Sequence, residues 1–532
     1  MGSICDTDPK FGNIYYYKKG EKYLIKDAIE ADNKYQISLN FSLNKIVNPF
    51  GMHSFSISLL NNTDINKESF LGVLEEHSGQ EIFFKKECII NYYFWRNNFI
   101  LIAPKMNGNL VGNKKKINLN DLIIKGDLNI IFEGIGNLII SFKKSEEYYS
   151  SFQFIIELKN KIFDNPKNIQ NIYFNIYISD NNEKKALYKS QEFSTNNFSS
   201  NIINLDNKYL SINEKGYTHL YIAFCSPNLS KKMPIGYVEF YLRLEDYNVN
   251  NDIIMTIPIK SSKYENLGNI RIKYNKKIKC NFLDYLKKGT KFNLSIAIDY
   301  TASNNSDSKP LHNIDPKYPN DYEILIKSFG NILAPYICDK SFSVYGFGGI
   351  PRTPNNPNKL PSHCFNVNFQ ENPNIKGVEN VIKFYRESLS KVTLAGPTYF
   401  SHVIEKVVEK VKYDIKNKKN ENIYYILLIL TDGICNDVEN SIDKIFEASF
   451  LPISIIIVGI GADGFWEYYP LEGDVVCPVV NSKGEKSKRD IMEFYEFERY
   501  KKYNDINYMI EEALNEMLKQ VEEYNKIYPK IL

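Results

Sequence analysis

No two cysteines in this chain are spaced as a metal-binding or redox pair. The eight residues Cys5, Cys88, Cys225, Cys280, Cys338, Cys364, Cys435 and Cys477 stand singly. That excludes a zinc-finger or RING framework and fits unpaired thiols in a reducing compartment. Histidine is scarce, with six in 532 residues and no H-E-x-x-H, so a helix-borne catalytic zinc is excluded as well. Charge of one sign is also lacking: a net charge of +3 argues against a dedicated nucleic-acid binder. Long apolar runs are absent. The longest, Ile426–Leu430 and Ile453–Val458, fall far short of the roughly 20 residues of a membrane span. Residues 2–20 hold no apolar signal core. These absences lead to the expectation of a soluble, cytoplasmic protein.

What is present is patterned hydrophobicity, 43% of the chain, over a Lys- and Asn-rich background that reads as compositional drift. From Lys22 to Lys279 the pattern is alternation. Ile37, Leu39, Phe41 and Leu43 alternate with Gln36, Ser38, Asn40 and Ser42, and Phe55, Ile57 and Leu59 alternate with serines. Strands follow at Phe152–Leu158, Ile172–Ile178, His219–Phe224, Gly236–Leu244 and Asn269–Tyr274. Short period-2 strands between turn residues predict two antiparallel β-sandwiches, joined near Lys143–Tyr149.

From about Phe282 the pattern changes. Phe292–Ile298, Ser341–Phe347, Tyr424–Leu430 and Ile453–Val458 are continuously apolar, as strands buried on both faces are. Helix-period segments lie among them at Asp321–Ala334, Gly377–Val392, Tyr399–Ile415 and Val438–Ala448, with a last one over Ile506–Tyr524. This alternation predicts a doubly wound parallel α/β sheet. The expected organisation is a tail over 1–21, sandwiches over 22–146 and 147–280, and the α/β domain over 281–532.

Three loops of that domain carry oxygen ligands. Asp299, Thr301 and Ser303 follow the first strand, Thr398 opens a helix after Gly396-Pro397, and Asp432 follows a later strand. Ligands of open α/β sheets bind where strands end and their order reverses. Two carboxylates and three hydroxyls are hard donors, suited to Mg2+ or Mn2+. With only two acids nearby, the cation stays electrophilic and can accept a partner's carboxylate. No nucleophile–base pair accompanies the set, so no enzyme activity is expected.

At these residues the chain resembles the copine family. Phe282-Leu283-Asp284-Tyr285, Asp299-Tyr300-Thr301-Ala302-Ser303-Asn304 and Leu311-His312 are similar to the start of the copine von Willebrand factor A-type domain. Gly346-Phe347-Gly348-Gly349, Gly396-Pro397-Thr398-Tyr399-Phe400, Leu430-Thr431-Asp432-Gly433, the segment Leu451–Gly459 and Arg489-Asp490-Ile491 continue the resemblance. It implies two C2 domains over 22–268 that bind phospholipid membranes in response to Ca2+. It also implies an A-type domain that recruits partners through a metal-ion-dependent adhesion site at Asp299, Thr301, Ser303, Thr398 and Asp432. Localisation would be peripheral, on the plasma membrane or internal membranes.

The C2-like loops depart from that pattern. Lys159–Pro166 contains one acid, Asp164, while Cys225–Lys232 and Asn44–Pro49 contain none. Ca2+ takes six to eight oxygens, mostly from carboxylates. Membrane contact independent of calcium has two candidate sources. Lys260, Lys263, Arg271, Lys273, Lys276, Lys277 and Lys279 form a basic stretch, worth about 1 kcal/mol per residue against anionic lipid; as a solvated strand face it would do nothing of the kind. Gly2 and Cys5 are candidates for myristoylation and palmitoylation, although Asp6 stands where the motif places Ser or Thr.

Sharper readings fail on context. Gly459-Ile460-Gly461-Ala462-Asp463-Gly464 matches G-x-G-x-x-G but runs into a Pro/Gly-rich loop instead of a helix, so no nucleotide is expected. Ser303 with His312 lacks a nucleophile elbow and an orienting acid. The competing functions are a metal-dependent kinase, phosphatase or ubiquitin ligase, and an adhesin-type receptor. Kinase loops, a RING cluster and a signal peptide are all lacking. The acid-poor loops yield one prediction. Calorimetric titration of Ca2+ into residues 22–280 should show no micromolar binding, and a micromolar isotherm would overturn it.

Overall fold

The computed structural model describes most of residues 35–529 and two short strands before them, Tyr15–Lys18 and Glu21–Leu24. Gly2, Cys5 and Lys279 lie outside the described residues, as do 159–170, 228–233 and 462–464, and of Lys277 the backbone alone is described. The chain forms two compact units. One joins Met1–Lys143 with Phe282–Leu532, and the other is Lys144–Asn281.

In the first unit, residues 35–144 form a β-sandwich. One sheet orders Lys115–Asn118, Phe99–Met106, Met52–Leu60 and Glu68–His77. The other orders Asp127–Phe132, Gly136–Lys144 and Tyr35–Asn44, with Ile82–Phe83 and Cys88–Tyr92 both pairing Tyr35–Asn44. Ile37, Leu39, Phe41 and Leu43 are buried and Asn40 and Ser42 less so, because successive strand side chains point to opposite faces.

The second unit is one continuous antiparallel sheet of ten strands, in place of two separate sheets. Its two halves are linked where Tyr237 pairs with Lys260. The strands Ile253–Lys260 and Glu183–Lys189 add to those the alternation identified. Phe152, Phe154, Phe174, Phe224, Ile270, Ile272 and Tyr274 share its core.

Residues 282–529 build a sheet whose parallel strands are Ser341–Phe347, Lys291–Asp299, Ile423–Thr431, Ile453–Gly459 and Met492–Glu496, in that spatial order. Ile423–Thr431 and Ile453–Gly459 are buried throughout because both faces of the sheet are covered there. Leu294, Ile296, Ile426, Leu428, Ile456 and Val458 pack in one cluster with the helices Asp321–Leu333, Val378–Leu389 and Ile506–Ile527. Their neighbours Ala297, Leu427, Ile429, Ile455 and Ile457 pack on the other face with Ser401–Asn417 and Val438–Ala448. The first and third strands in the sequence are neighbours in space, which makes their carboxyl ends the point where the order reverses.

The opposite end of this sheet docks on the first sandwich. Phe94 packs on Phe282 at 5.0 Å, Tyr336 at 4.5 Å and Phe292 at 6.3 Å between ring centroids. Tyr92 and Tyr336 join through their hydroxyls, and Lys287 Nζ donates to the Phe142 carbonyl at 3.3 Å. Phe94 is 1% exposed and Phe282 0%, so the contact is a continuous core. Deleting a buried phenyl ring costs about 3–5 kcal/mol. Phe94→Ala should therefore lower unfolding stability by about that amount in a denaturant titration. A loss below about 1 kcal/mol would mean the sandwich is not held there.

Candidate metal centre

The two strands at the reversal point end on Asp299 and Thr431, with Ile298 and Leu430 in register just before the ends. Asp299 is fully buried and Asp432 is 8% exposed. After Asp299 the chain makes a bridge from Thr301 to Ala395. Ala302 N donates to the Ala395 carbonyl at 2.7 Å, and Ala395 N to the Tyr300 carbonyl at 3.1 Å. That bridge carries Gly396–Thr398 to the same sheet end. Thr398 is fixed from both sides: its N–H donates to Asn436 Oδ1 at 2.9 Å and its carbonyl accepts from Asn436 N at 2.8 Å.

The side chains then converge. Ser303 Oγ donates to Asp432 Oδ1 at 2.9 Å, Thr301 Oγ1 donates to the same oxygen at 3.3 Å, and the two hydroxyls are 2.9 Å apart. A methyl built on Gly433 would lie 3.3 Å from Thr398 Oγ1 and 3.6 Å from Ser303 Oγ, which places both hydroxyls next to that glycine. At Gly348 (φ +74°) a Cβ would meet Thr301 Cγ2 at 2.3 Å, so the lack of a side chain there leaves room for Thr301. All five oxygen-bearing residues named from the sequence thus meet at one place.

Several participants were not named from the sequence. Thr431 Oγ1 donates to Asp299 Oδ2 at 2.6 Å, and Thr301 N donates to Asp299 Oδ1 at 2.7 Å. Asn304 Nδ2 donates to Asp432 Oδ1 at 2.8 Å. The Asp437 carboxylate accepts from Phe400 N at 2.9 Å and Ser401 N at 3.1 Å, which caps the helix that Thr398 precedes. The adjacency of Thr431 and Asn304 to the motif residues was visible in the sequence. Their direction was not.

His312 is held under Asp299. A carbonyl only accepts, so His312 Nε2 donates to the Asp299 carbonyl at 2.8 Å, leaving Nδ1 to accept from Tyr385 Oη at 2.8 Å. Burial pushes its imidazole down to about 4, so it is neutral at physiological pH. Both ring nitrogens are engaged away from Ser303, in keeping with a structural histidine.

Electrostatics favour a cation. Burial raises the Asp299 carboxyl, opposed by the hydrogen bonds from Thr301 and Thr431. Burial and then the charge of Asp299 push Asp432 up to about 7. Two like charges this close resist joint ionisation unless a positive charge joins them. Among the described residues no group of three or more His, Cys, Asp or Glu converges, so the donor set here is two carboxylates with hydroxyls. Such a set fits a small hard cation better than Zn2+, which prefers nitrogen and sulfur.

The basic stretch is less concentrated than its sequence. Arg271 and Lys273 alternate with buried Ile270, Ile272 and Tyr274, and pair with Glu157 at 3.3 Å and Asp252 at 2.8 Å. Lys260 and Lys263 are exposed, and Lys276 is half-buried.

The raised Asp432 pKa gives a signed prediction. A carboxyl that holds its proton more tightly when folded contributes stability at low pH, and that contribution is lost as pH rises through about 7. In chelator, Asp432→Asn should therefore raise the melting temperature at pH 8 and change it little at pH 5. A lower melting temperature at pH 8 would contradict the assignment.

A copine family model matches residues 310–530. Copine-D of Dictyostelium discoideum is 35% identical over 284 residues, 52% of this chain and 51% of that protein. The chain therefore spans about half the length of that curated relative. Slighter likenesses exist among solved structures. A C2 domain of plant Extended Synaptotagmin 1 is 10% identical at a TM-score of 0.20, over 25% of this chain and 97% of that one. Proximal thread matrix protein 1 of the mussel byssus, with a zinc-occupied MIDAS motif, is 14% identical at 0.25, over 42% of this chain and 46% of that one. The chain is therefore similar to the copine family over residues 310–530 and to Copine-D over about half of its own length.

Proposed function

We propose that the protein is a non-catalytic, membrane-associated adaptor whose A-type domain recruits a partner through a Mg2+ adhesion site. The single observation that carries this reading is the convergence of Asp299, Thr301, Ser303, Thr398 and Asp432 at the sheet's reversal point. These residues would hold the cation, with Mn2+ as a substitute. When bound, the cation supplies an electrophilic position that a carboxylate can complete, so the partner presents an acidic segment. Asp299, anchored by Thr301 N and Thr431 Oγ1, and Asp432, anchored by Ser303 and Asn304, keep the ligand oxygens in place.

The domains over 22–146 and 147–280 are C2-like in this reading and meet a phospholipid membrane with little help from Ca2+. Exposed Lys260 and Lys263 attract anionic headgroups, whereas Arg271 and Lys273 are already matched by acids. Acylation of Gly2 and Cys5 would add the second signal that stable anchoring needs. Among the described residues no helix is long and apolar enough to cross a membrane. A peripheral cytoplasmic location follows from the proposal.

The two halves separate by experiment. Asp299→Ala should abolish Mg2+-dependent capture of partner proteins while leaving vesicle co-flotation unchanged. Retained capture with Mg2+ present would remove the adhesion site from the account.

A further inference from the structure

Beneath the oxygen cluster a buried relay continues from Asn304, which anchors Asp432, to Tyr322. Asn304 is 1% exposed and Tyr322 is 0% exposed. Tyr322 Oη donates to Asn304 Oδ1 at 2.7 Å, and Asn304 Nδ2 donates to Asp432 Oδ1 at 2.8 Å and to the Thr301 carbonyl at 3.3 Å. The Thr301 carbonyl can only accept, so the nitrogen end of the amide must face it, and Tyr322 fills the oxygen end. The orientation of Asn304 is thereby forced.

We infer that Asn304, oriented by Tyr322, is a positioning residue that fixes the Asp432 carboxylate for a divalent cation. The inference rests on the adhesion-site reading and adds to it the residues that set its affinity. An amide turned this way offers the site only N–H groups, so Asn304 supports Asp432 from behind and cannot itself ligate a cation. The support matters because Ser303 and Thr301 also donate to Asp432 Oδ1. Their hydroxyls must turn lone pairs toward an arriving cation, which takes those donors away. Asn304 is the donor that can stay.

The helix Asp321–Leu333 supplies the rigidity. Its first turn is held by a reciprocal cap, in which Asn320 accepts from Glu323 N at 2.9 Å and Glu323 accepts from Asn320 N at 3.0 Å. Glu323 is buried and paired with Arg386. Tyr322 lies between the two capping residues, with its ring fully buried and its hydroxyl on Asn304. A second support runs from Tyr385 through His312 to the Asp299 carbonyl, and Asn320 Nδ2 reaches Tyr385 Oη at 3.2 Å. The two aspartates are thus referenced to the same helix cap.

Outer partners of metal ligands typically change affinity by about 10–100-fold when removed. Titration of Mn2+ into the protein of residues 1–532 by calorimetry should show Asn304→Ala weakening binding by about that factor. Tyr322→Phe, which keeps the ring, should weaken it by the lower end of the range. Because Tyr322 acts through Asn304, the two changes should not add: in the Asn304→Ala background, Tyr322→Phe should leave the affinity unchanged. The metal-free melting temperature of each variant separates misfolding from loss of positioning. Equal affinity in wild type and Asn304→Ala would overturn the inference, as would fully additive losses. No binding by the wild type would instead defeat the adhesion-site reading on which it rests.

Discussion

Asp299 and Asp432 are two carboxylates held in one buried cluster, each pushed toward its protonated form by the same burial. Everything around them answers that repulsion. Hydroxyls and a backbone N–H reach in from two loops, and an amide and an imidazole brace the cluster. A protein has little reason to bury two acids at a sheet end unless a positive charge completes the set. The parallel sheet is what allows it, since adjacent strands in register deliver both aspartates to one point while their apolar flanks stay covered.

The same sheet separates two tasks. Its strand starts, at Phe292 and next to Tyr336, pack on the first sandwich through Phe94 and Tyr92. Its strand ends carry the oxygen cluster. The nine residues of Lys291–Asp299 place these roughly 25–30 Å apart at the rise of an extended strand. The sandwich is thus built into the base of the α/β domain, at the end away from the oxygen cluster. The unit Lys144–Asn281 has its own core and carries the exposed lysines.

Much of this was legible in the chain. Strands buried on both faces write themselves as unbroken apolar runs, so Ser341–Phe347 was placed to the residue and Ile453–Gly459 to within one. Asp299, Thr301, Ser303, Thr398 and Asp432 could be named because their spacing puts them at strand ends. Less was readable where a side chain's partner is remote in sequence. Met492–Glu496 is short and half polar, and only its parallel pairing with Ile453–Gly459 makes it a strand. The aromatic dock joins residues 94 and 336, which no local pattern links. Asn304 looked like one more Asn in an Asn-rich chain until Tyr322 gave its amide a direction. The basic stretch read as a lipid-facing patch or a solvated strand face, and the pairing of Arg271 with Glu157 and of Lys273 with Asp252 joins residues too far apart in sequence for a linear count to show.

The account stands on one cation lying among five oxygens. Crystals of the protein of residues 1–532 soaked in Mn2+ and measured at the manganese absorption edge test it most directly. The predicted result is an anomalous peak bounded by Asp299, Thr301, Ser303, Thr398 and Asp432, absent from crystals of Asp299→Ala. No peak at that position in the wild type would contradict the account.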